Sequence, residues 1–169
     1  MLLDVGALGA STVSACCLLG SPRPVRVWVS AALMVLAMAG CVLGSSVPGV
    51  GLAAIVLSLA SAGFALQRRS GRVPPMSLHR ALGGVTMAAL VGMSLGMSRG
   101  GGAAVSAHAH GVSLGAIVVA FVAGYLAYSA WLLVTMVRAR HVPRPGARRL
   151  LQLGEVAGMA VGVLLMAAM

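Results

Sequence analysis

Two histidines separated by one residue are the side chains whose types most directly indicate chemistry. His108 and His110 flank Ala109, and imidazole is a common ligand of transition metals. Met97 precedes them and Asp4 lies near the N-terminus, so thioether and carboxylate groups complete a donor set that copper accepts. One interpretation is a copper or other metal-ion site made of these four side chains. The alternative is that alternating histidines in a loop rich in Gly, Ala and Ser are simply solvated.

Glu155 is the second candidate, because it is an ionisable residue inside an apolar run. Such residues are costly within a membrane and often functional. Helical spacing puts Glu155, Met159, Gly162 and Met166 on one stripe, so a proton or cation ligand facing the bundle interior is one hypothesis. The favoured interpretation is an interfacial carboxylate paired to a nearby arginine, because the predicted depth is shallow.

The remaining polar and thioether groups have ordinary explanations. His79 is expected in a basic inner loop, in contact with headgroups or solvent. Tyr125 and Tyr128 are candidates for anchoring at the membrane interface, and the alternative is that they face a partner or lipid. The eleven methionines raise the copper hypothesis again, but methionine fills gaps in apolar cores well, and that interpretation is favoured.

The elements that must position these groups are membrane helices. The chain is 60% hydrophobic and 8% charged, with a mean hydropathy of +1.02, whereas a soluble domain carries roughly 25% charged residues. The sequence therefore predicts an all-α, polytopic transmembrane bundle in a single domain. Its six predicted helices cover about residues 2–20, 27–45, 49–67, 81–98, 112–136 and 150–169.

The arginines indicate how this bundle is oriented. With the N-terminus outside, the loops after the first, third and fifth helices lie in the cytoplasm and carry eleven of the twelve basic residues. That is the asymmetry of the positive-inside rule. Both termini are then outside, in a multi-pass protein of the cell membrane. Five helices are the alternative, and the net charge of +10 is explained by topology and anionic lipid headgroups, without nucleic acid.

Glycine spacing predicts close helix packing. Small residues four apart let helix backbones approach in lipid, where apolar burial provides no driving force. The pattern occurs at Gly40 and Gly44, at Gly92 and Gly96, at Gly111 and Gly115, and at Gly154, Gly158 and Gly162. An offset of 72 residues also aligns Met87 with Met159, which raises the hypothesis of an internal repeat, with chance matching as the alternative.

The second half of the chain resembles a known group. Residues 68–169 combine basic loops with Leu78-His79-Arg80, Met87-Ala88-Ala89, and a last helix containing Glu155, Met159 and Met166-Ala167-Ala168-Met169. In composition and spacing this is similar to small His/Met-containing polytopic membrane proteins of high-GC actinobacteria, grouped as domains of unknown function. The resemblance implies a membrane fold, and it implies no activity and no catalytic residue.

These observations favour a protein that is not an enzyme. No phosphate-binding loop, dinucleotide fingerprint, zinc metalloprotease motif or nucleophile elbow occurs, and no cofactor is predicted. The leading hypothesis is an accessory or scaffolding subunit of a larger membrane complex, with other membrane subunits as partners. Small accessory subunits of actinobacterial respiratory supercomplexes have a similar build, so a respiratory-chain assembly is a candidate by analogy. One alternative is metal handling through Met97, His108, His110 and Asp4, which the predicted topology puts together at the outer face as an outer His/Met cluster. The other is a small transporter using Glu155.

Overall fold

The computed structural model describes an all-helical chain. It covers residues 24–43, 49–66, 73–99, 114–138 and 146–168, with six single residues of the first predicted span. Five helices lie in these ranges: α1 (Val25–Leu43), α2 (Val50–Ala65), α3 (Pro75–Arg99), α4 (Leu114–Arg138) and α5 (Gly146–Ala167). The first predicted helix, residues 2–20, lies mostly outside the described residues; those that are described there are helical, namely Gly6, Gly9, Ala10, Thr12, Val13 and Cys16.

Three of the described helices are long and apolar enough to cross a membrane. They contain the segments Pro75–Gly96, Gly115–Arg138 and Arg149–Ala167, of 22, 24 and 19 residues. About 20 apolar residues span a hydrocarbon core. The apolar segments Val25–Cys41 and Val50–Ala65 are shorter. The prediction of a helical membrane protein is therefore confirmed in its coarse form.

Two helices begin at least four residues earlier than their sequence patterns predict. α3 begins at Pro75 instead of Ala81, and α5 begins at Gly146 instead of Leu150. Proline is favoured at the first helical position, because its missing N–H needs no partner there and its φ angle suits a helix. Pro75 is therefore the first residue of α3. As a result Arg80, assigned to a loop from the sequence, is the sixth residue of α3.

α3 is the centre of the described bundle. It packs against α2, α4 and α5, while α1 packs against α2. Polar side chains reinforce the helix ends: the Tyr128 hydroxyl donates to the Pro75 carbonyl at 3.1 Å. The Arg149 guanidinium donates to the carbonyls of Met136 and Val137 near the end of α4, where main-chain carbonyls lack helical partners. A side chain of α5 thus caps α4.

Gly84 of α3 allows a close approach to the backbone of α2. A Cβ atom built there would lie 2.8 Å from the Ser58 main-chain oxygen and 3.1 Å from the Ala62 Cβ on α2. Main-chain atoms of a packed helix cannot move aside as a flexible side chain can. The glycine is therefore a condition for the α2–α3 contact.

Gly84→Ala is expected to destabilise the bundle by about 1–3 kcal/mol, the usual cost of overpacking. The matched control is Gly96→Ala on the same helix, since a Cβ there meets nothing within 4 Å. The measurement is thermal unfolding of both variants in the same mild detergent. An unchanged melting temperature for Gly84→Ala would show that α2 and α3 do not approach each other this closely.

Candidate functional site

An ion pair buried between α3 and α5 is the main feature of the interior. The Arg80 Nε–H donates to Glu155 Oε1 at 2.5 Å, and the side chains are 9% and 1% exposed. Both residues lie within the apolar segments long enough to span a membrane. Glu155 is the tenth residue of α5, so it is farther from the start of its helix than the sequence predicted. Pairing to an arginine is as expected, but the partner is on another helix and the pair is buried.

Burial makes the two partners dependent on each other. An isolated charge in an apolar interior costs several kcal/mol, and attraction to an opposite charge offsets that cost only when the geometry is good. Arg80 and Glu155 are 75 positions apart in sequence, so their pairing also fixes how α3 and α5 meet. The Arg80 Nη2 atom, also buried, has no hydrogen-bond partner among the described residues.

His79, next to Arg80, is the centre of an aromatic cluster between α3 and α4. Its side chain is fully buried, and its ring stacks on Tyr125 with centroids 5.1 Å apart and planes 18° apart. The Tyr125 hydroxyl lies 3.3 Å from Nε2, and the Ser129 hydroxyl lies 3.4 Å from Nδ1. The expectation that His79 contacts headgroups or solvent is therefore wrong, because the early start of α3 carries it into the bundle.

The two tyrosines of α4 differ in environment. Tyr125 is buried against His79, so the expectation that it faces lipid or a partner is also wrong. Tyr128 is less buried and lies between His79 and Trp131, with ring centroids 6.4 Å and 5.6 Å away. The aromatic row therefore runs from the bundle interior to the exposed Trp131.

A pair of serines joins α1 to α2 near the same site. The Ser30 hydroxyl donates to the Ser61 carbonyl at 2.9 Å, and the Ser61 hydroxyl donates to the Ser30 carbonyl at 2.7 Å. Both side chains are buried. In an apolar interior each hydroxyl needs such a partner, and the reciprocal pair satisfies both. No motif in the sequence singles out these two serines.

The serine pair and the ion pair form part of the wall of one cavity. It has a volume of about 50 Å³ and lies among α1, α2, α3 and α5. Most of the remaining wall is aliphatic or thioether, with methionines from α1, α3 and α5: Met34, Met38, Met87 and Met159. Sequence reasoning placed Met159 and Gly162 on the stripe of Glu155, and both lie in the wall, but it did not identify the wall residues of the other helices.

The predicted outer metal cluster is not described by this structure. Asp4, His108 and His110 lie outside the described residues, and Met97 is in α3 with its side chain undescribed. Within the described part of the chain, no group of three or more His, Cys, Asp or Glu side chains is placed to hold a metal ion. The copper hypothesis for those four residues stays a prediction.

Arg80 is the site residue that sequence reasoning missed, although a signal existed. A buried Glu155 needs a basic partner, because an unpaired charge in an apolar interior is costly. The chain has twelve arginines that could be this partner. The proline start of α3 moves Arg80 from the loop into the helix. Only the packing of α3 on α5 then selects it.

Arg80→Met and Glu155→Met are each expected to destabilise the protein by about 3–5 kcal/mol, because each leaves an unpaired buried charge. The double variant should recover most of that loss, since two apolar side chains of similar volume need no counter-charge. Thermal unfolding of the four proteins in one detergent gives the coupling. Additive losses would mean that the two side chains do not pair.

Comparisons with family models, curated proteins and solved structures find no match for this chain. The resemblance to actinobacterial membrane proteins therefore stays a prediction. What is established is a helical protein with three helices long and apolar enough to cross a membrane, containing a buried ion pair beside a methionine-lined cavity.

Proposed function

We propose that the protein is a non-enzymatic accessory or scaffolding subunit of a larger membrane complex, which it joins through the exposed face of α4. A row of small side chains on that face carries the proposal. The row consists of exposed residues at alternating three- and four-residue spacing: Ala120, Ala123, Ala127, Ala130 and, at its end, Val134. We call it the alanine row.

The alanine row lies opposite the face by which α4 packs within its own chain. That inner face carries Val118, Tyr125, Ser129 and Leu132, all buried. Spacing of three and four residues keeps side chains on one side of a helix, and the two rows are about half a turn apart. The inner row packs against other helices of this chain. The alanine row has the same three- and four-residue spacing that is typical of packed helices, so a second helix can pack against it.

A partner helix explains this composition better than lipid does. Lipid chains accommodate bulky and small residues alike, whereas two helix backbones approach closely only over small side chains. α2 provides a contrast within the same protein, because its exposed residues are mostly bulky and include Leu52, Val56, Leu59 and Phe64. The proposed occupant of the alanine row is therefore one transmembrane helix of another membrane protein.

The interior polar groups support a structural role more than a catalytic one. Arg80 and Glu155 pair with each other, and His79 is enclosed by Tyr125 and Ser129. Groups engaged in this way stabilise helix contacts. A respiratory-chain assembly is the candidate complex, by analogy of build with known accessory subunits.

The proposal includes six spans in the cell membrane, with both termini outside and the arginine-rich loops at the cytoplasmic, anionic lipid surface. The distribution of arginines supports this orientation. α1, with 19 residues, extends about 28 Å, and α2, with 16 residues, extends about 24 Å at 1.5 Å per residue. Both lengths approach the roughly 30 Å of a hydrocarbon core.

Single-cysteine labelling tests the orientation. In a background with Cys16, Cys17 and Cys41 changed to Ser, the Ser106→Cys variant should react with a membrane-impermeant maleimide in intact cells. The Ser70→Cys variant should react only after permeabilisation, since its loop is expected in the cytoplasm. Labelling of Ser70→Cys alone in intact cells would reverse the proposed topology.

Substitutions in the alanine row test the complex. Ala123→Leu combined with Ala127→Leu should lower retention of the partner in mild-detergent purification about tenfold or more, because overpacking a close helix contact costs about 1–3 kcal/mol. Ala53→Leu is the matched control, since Ala53 is an exposed alanine on α2. The retained proteins are quantified by mass spectrometry from native membranes.

Three outcomes would contradict the proposal. They are purification of the protein alone, association only with a second copy of itself, and equal retention of the partner by the alanine-row and Ala53→Leu variants. The first two would remove the accessory role. The third would place the contact elsewhere and leave α4 facing lipid.

A further inference from the structure

Four of the chain's eleven methionines meet at the interior cavity. Met34 and Met38 come from α1, Met87 from α3 and Met159 from α5. Met34 and Met38 are four positions apart on α1, so both side chains lie on one helix face. Met87 and Met159 are the residues that the 72-residue offset aligns. Three helices thus deliver thioether groups to one small space.

The size of the cavity limits what it can hold. Its volume is about 50 Å³, well below the roughly 150 Å³ of a dry cavity that holds benzene and above the roughly 10–15 Å³ that a single water needs. A ring-containing organic molecule is therefore too large to be enclosed in it. A single metal ion or a few water molecules fit.

The atoms that line the cavity are better suited to a metal ion than to several water molecules. Water in a buried site needs two to four polar partners. The two wall serines already satisfy each other. The polar side chains that remain are Glu155, which pairs with Arg80, and Arg80, whose Nη2 atom is a hydrogen-bond donor for a single water. Thioethers are weak hydrogen-bond acceptors but good ligands for soft ions such as Cu(I).

Glu155 places a negative charge in the cavity wall. It is the only acidic residue in the part of the chain that the structure describes, and it is among the residues that line the cavity. Its carboxylate already pairs with Arg80, so the pair is neutral as a whole and a bound cation adds its full charge to the interior. A monovalent ion therefore costs less at this site than a divalent one.

We infer that this cavity binds one soft monovalent metal ion, Cu(I), through the thioethers of Met34, Met38, Met87 and Met159. The site is separate from the predicted His108/His110 cluster and shares no residue with it. It also goes beyond the accessory role, because neither the alanine row nor a partner contributes to it. Methionines that only filled space would bind no ion, and the experiment below separates the two roles.

The test uses the full-length protein in mild detergent under anaerobic, reducing conditions. Cu(I) is titrated against a chromophoric Cu(I) chelator, with Ag(I) as a redox-stable second probe. The cavity variant combines Met87→Leu with Met159→Leu, which conserves side-chain volume. The control combines Met93→Leu with Met166→Leu, on the same two helices, where both methionines pack against the core outside the cavity wall. X-ray absorption of the copper complex reports sulfur ligation.

The inference predicts one Cu(I) per chain with a sulfur-dominated ligand shell. It predicts at least a tenfold weaker affinity for the cavity variant, an unchanged affinity for the control, and similar melting temperatures for both. It would be overturned by absence of binding to the unmodified protein, or by equal losses in both variants. Loss of binding only in His108→Ala/His110→Ala would overturn it as well, and would assign copper to the outer cluster.

Discussion

A charge inside an apolar bundle must meet an opposite charge, and in this protein that requirement links distant parts of the chain. Glu155 on α5 is buried and receives the Arg80 guanidinium of α3 at 2.5 Å. Neither residue could remain charged in the interior alone. The register of α3 against α5 therefore cannot slip without exposing a charge to the apolar surroundings, and the cavity and the aromatic cluster depend on that register.

α3 carries most of the consequences. Three residues within two turns of this helix contact three neighbouring helices. His79 contacts α4, Arg80 pairs with α5, and Gly84 allows the backbone of α2 to approach. A helix that serves three partners has little room for substitution, which agrees with its being the most buried of the three helices long enough to span a membrane. α4, in contrast, uses one face within the chain and exposes the alanine row.

The fold class and the interior residues differ in how far the sequence could predict them. Hydropathy was enough to predict a helical membrane protein, because helix length and apolar content follow from the bilayer itself. Glu155 was recognisable as unusual from its place in an apolar run. Its partner was not, because Arg80 looks like a loop residue until Pro75 is understood as a helix start, and twelve arginines are equivalent before packing is known.

The interior contacts of His79 and the methionines were beyond sequence reasoning for a related reason. Histidine beside arginine usually faces headgroups or solvent, and methionine usually fills a core, so single-residue tendencies pointed away from both features. The 72-residue offset between Met87 and Met159 was visible in the sequence, but only the meeting of α1, α3 and α5 shows that these side chains share a cavity.

The pairing of Arg80 with Glu155 is the central claim, and its most direct test is a solid-state NMR distance in lipid bilayers. Glu155 is the only glutamate in the chain, so selective ¹³C labelling of glutamate gives one carboxyl signal, while all arginines carry ¹⁵N. If the two side chains pair, guanidinium nitrogen should cause strong dipolar dephasing of that carboxyl, and the dephasing should be lost in Arg80→Lys. A carboxyl that arginine nitrogen leaves unaffected, or dephasing that survives Arg80→Lys, would show that Arg80 and Glu155 do not pair.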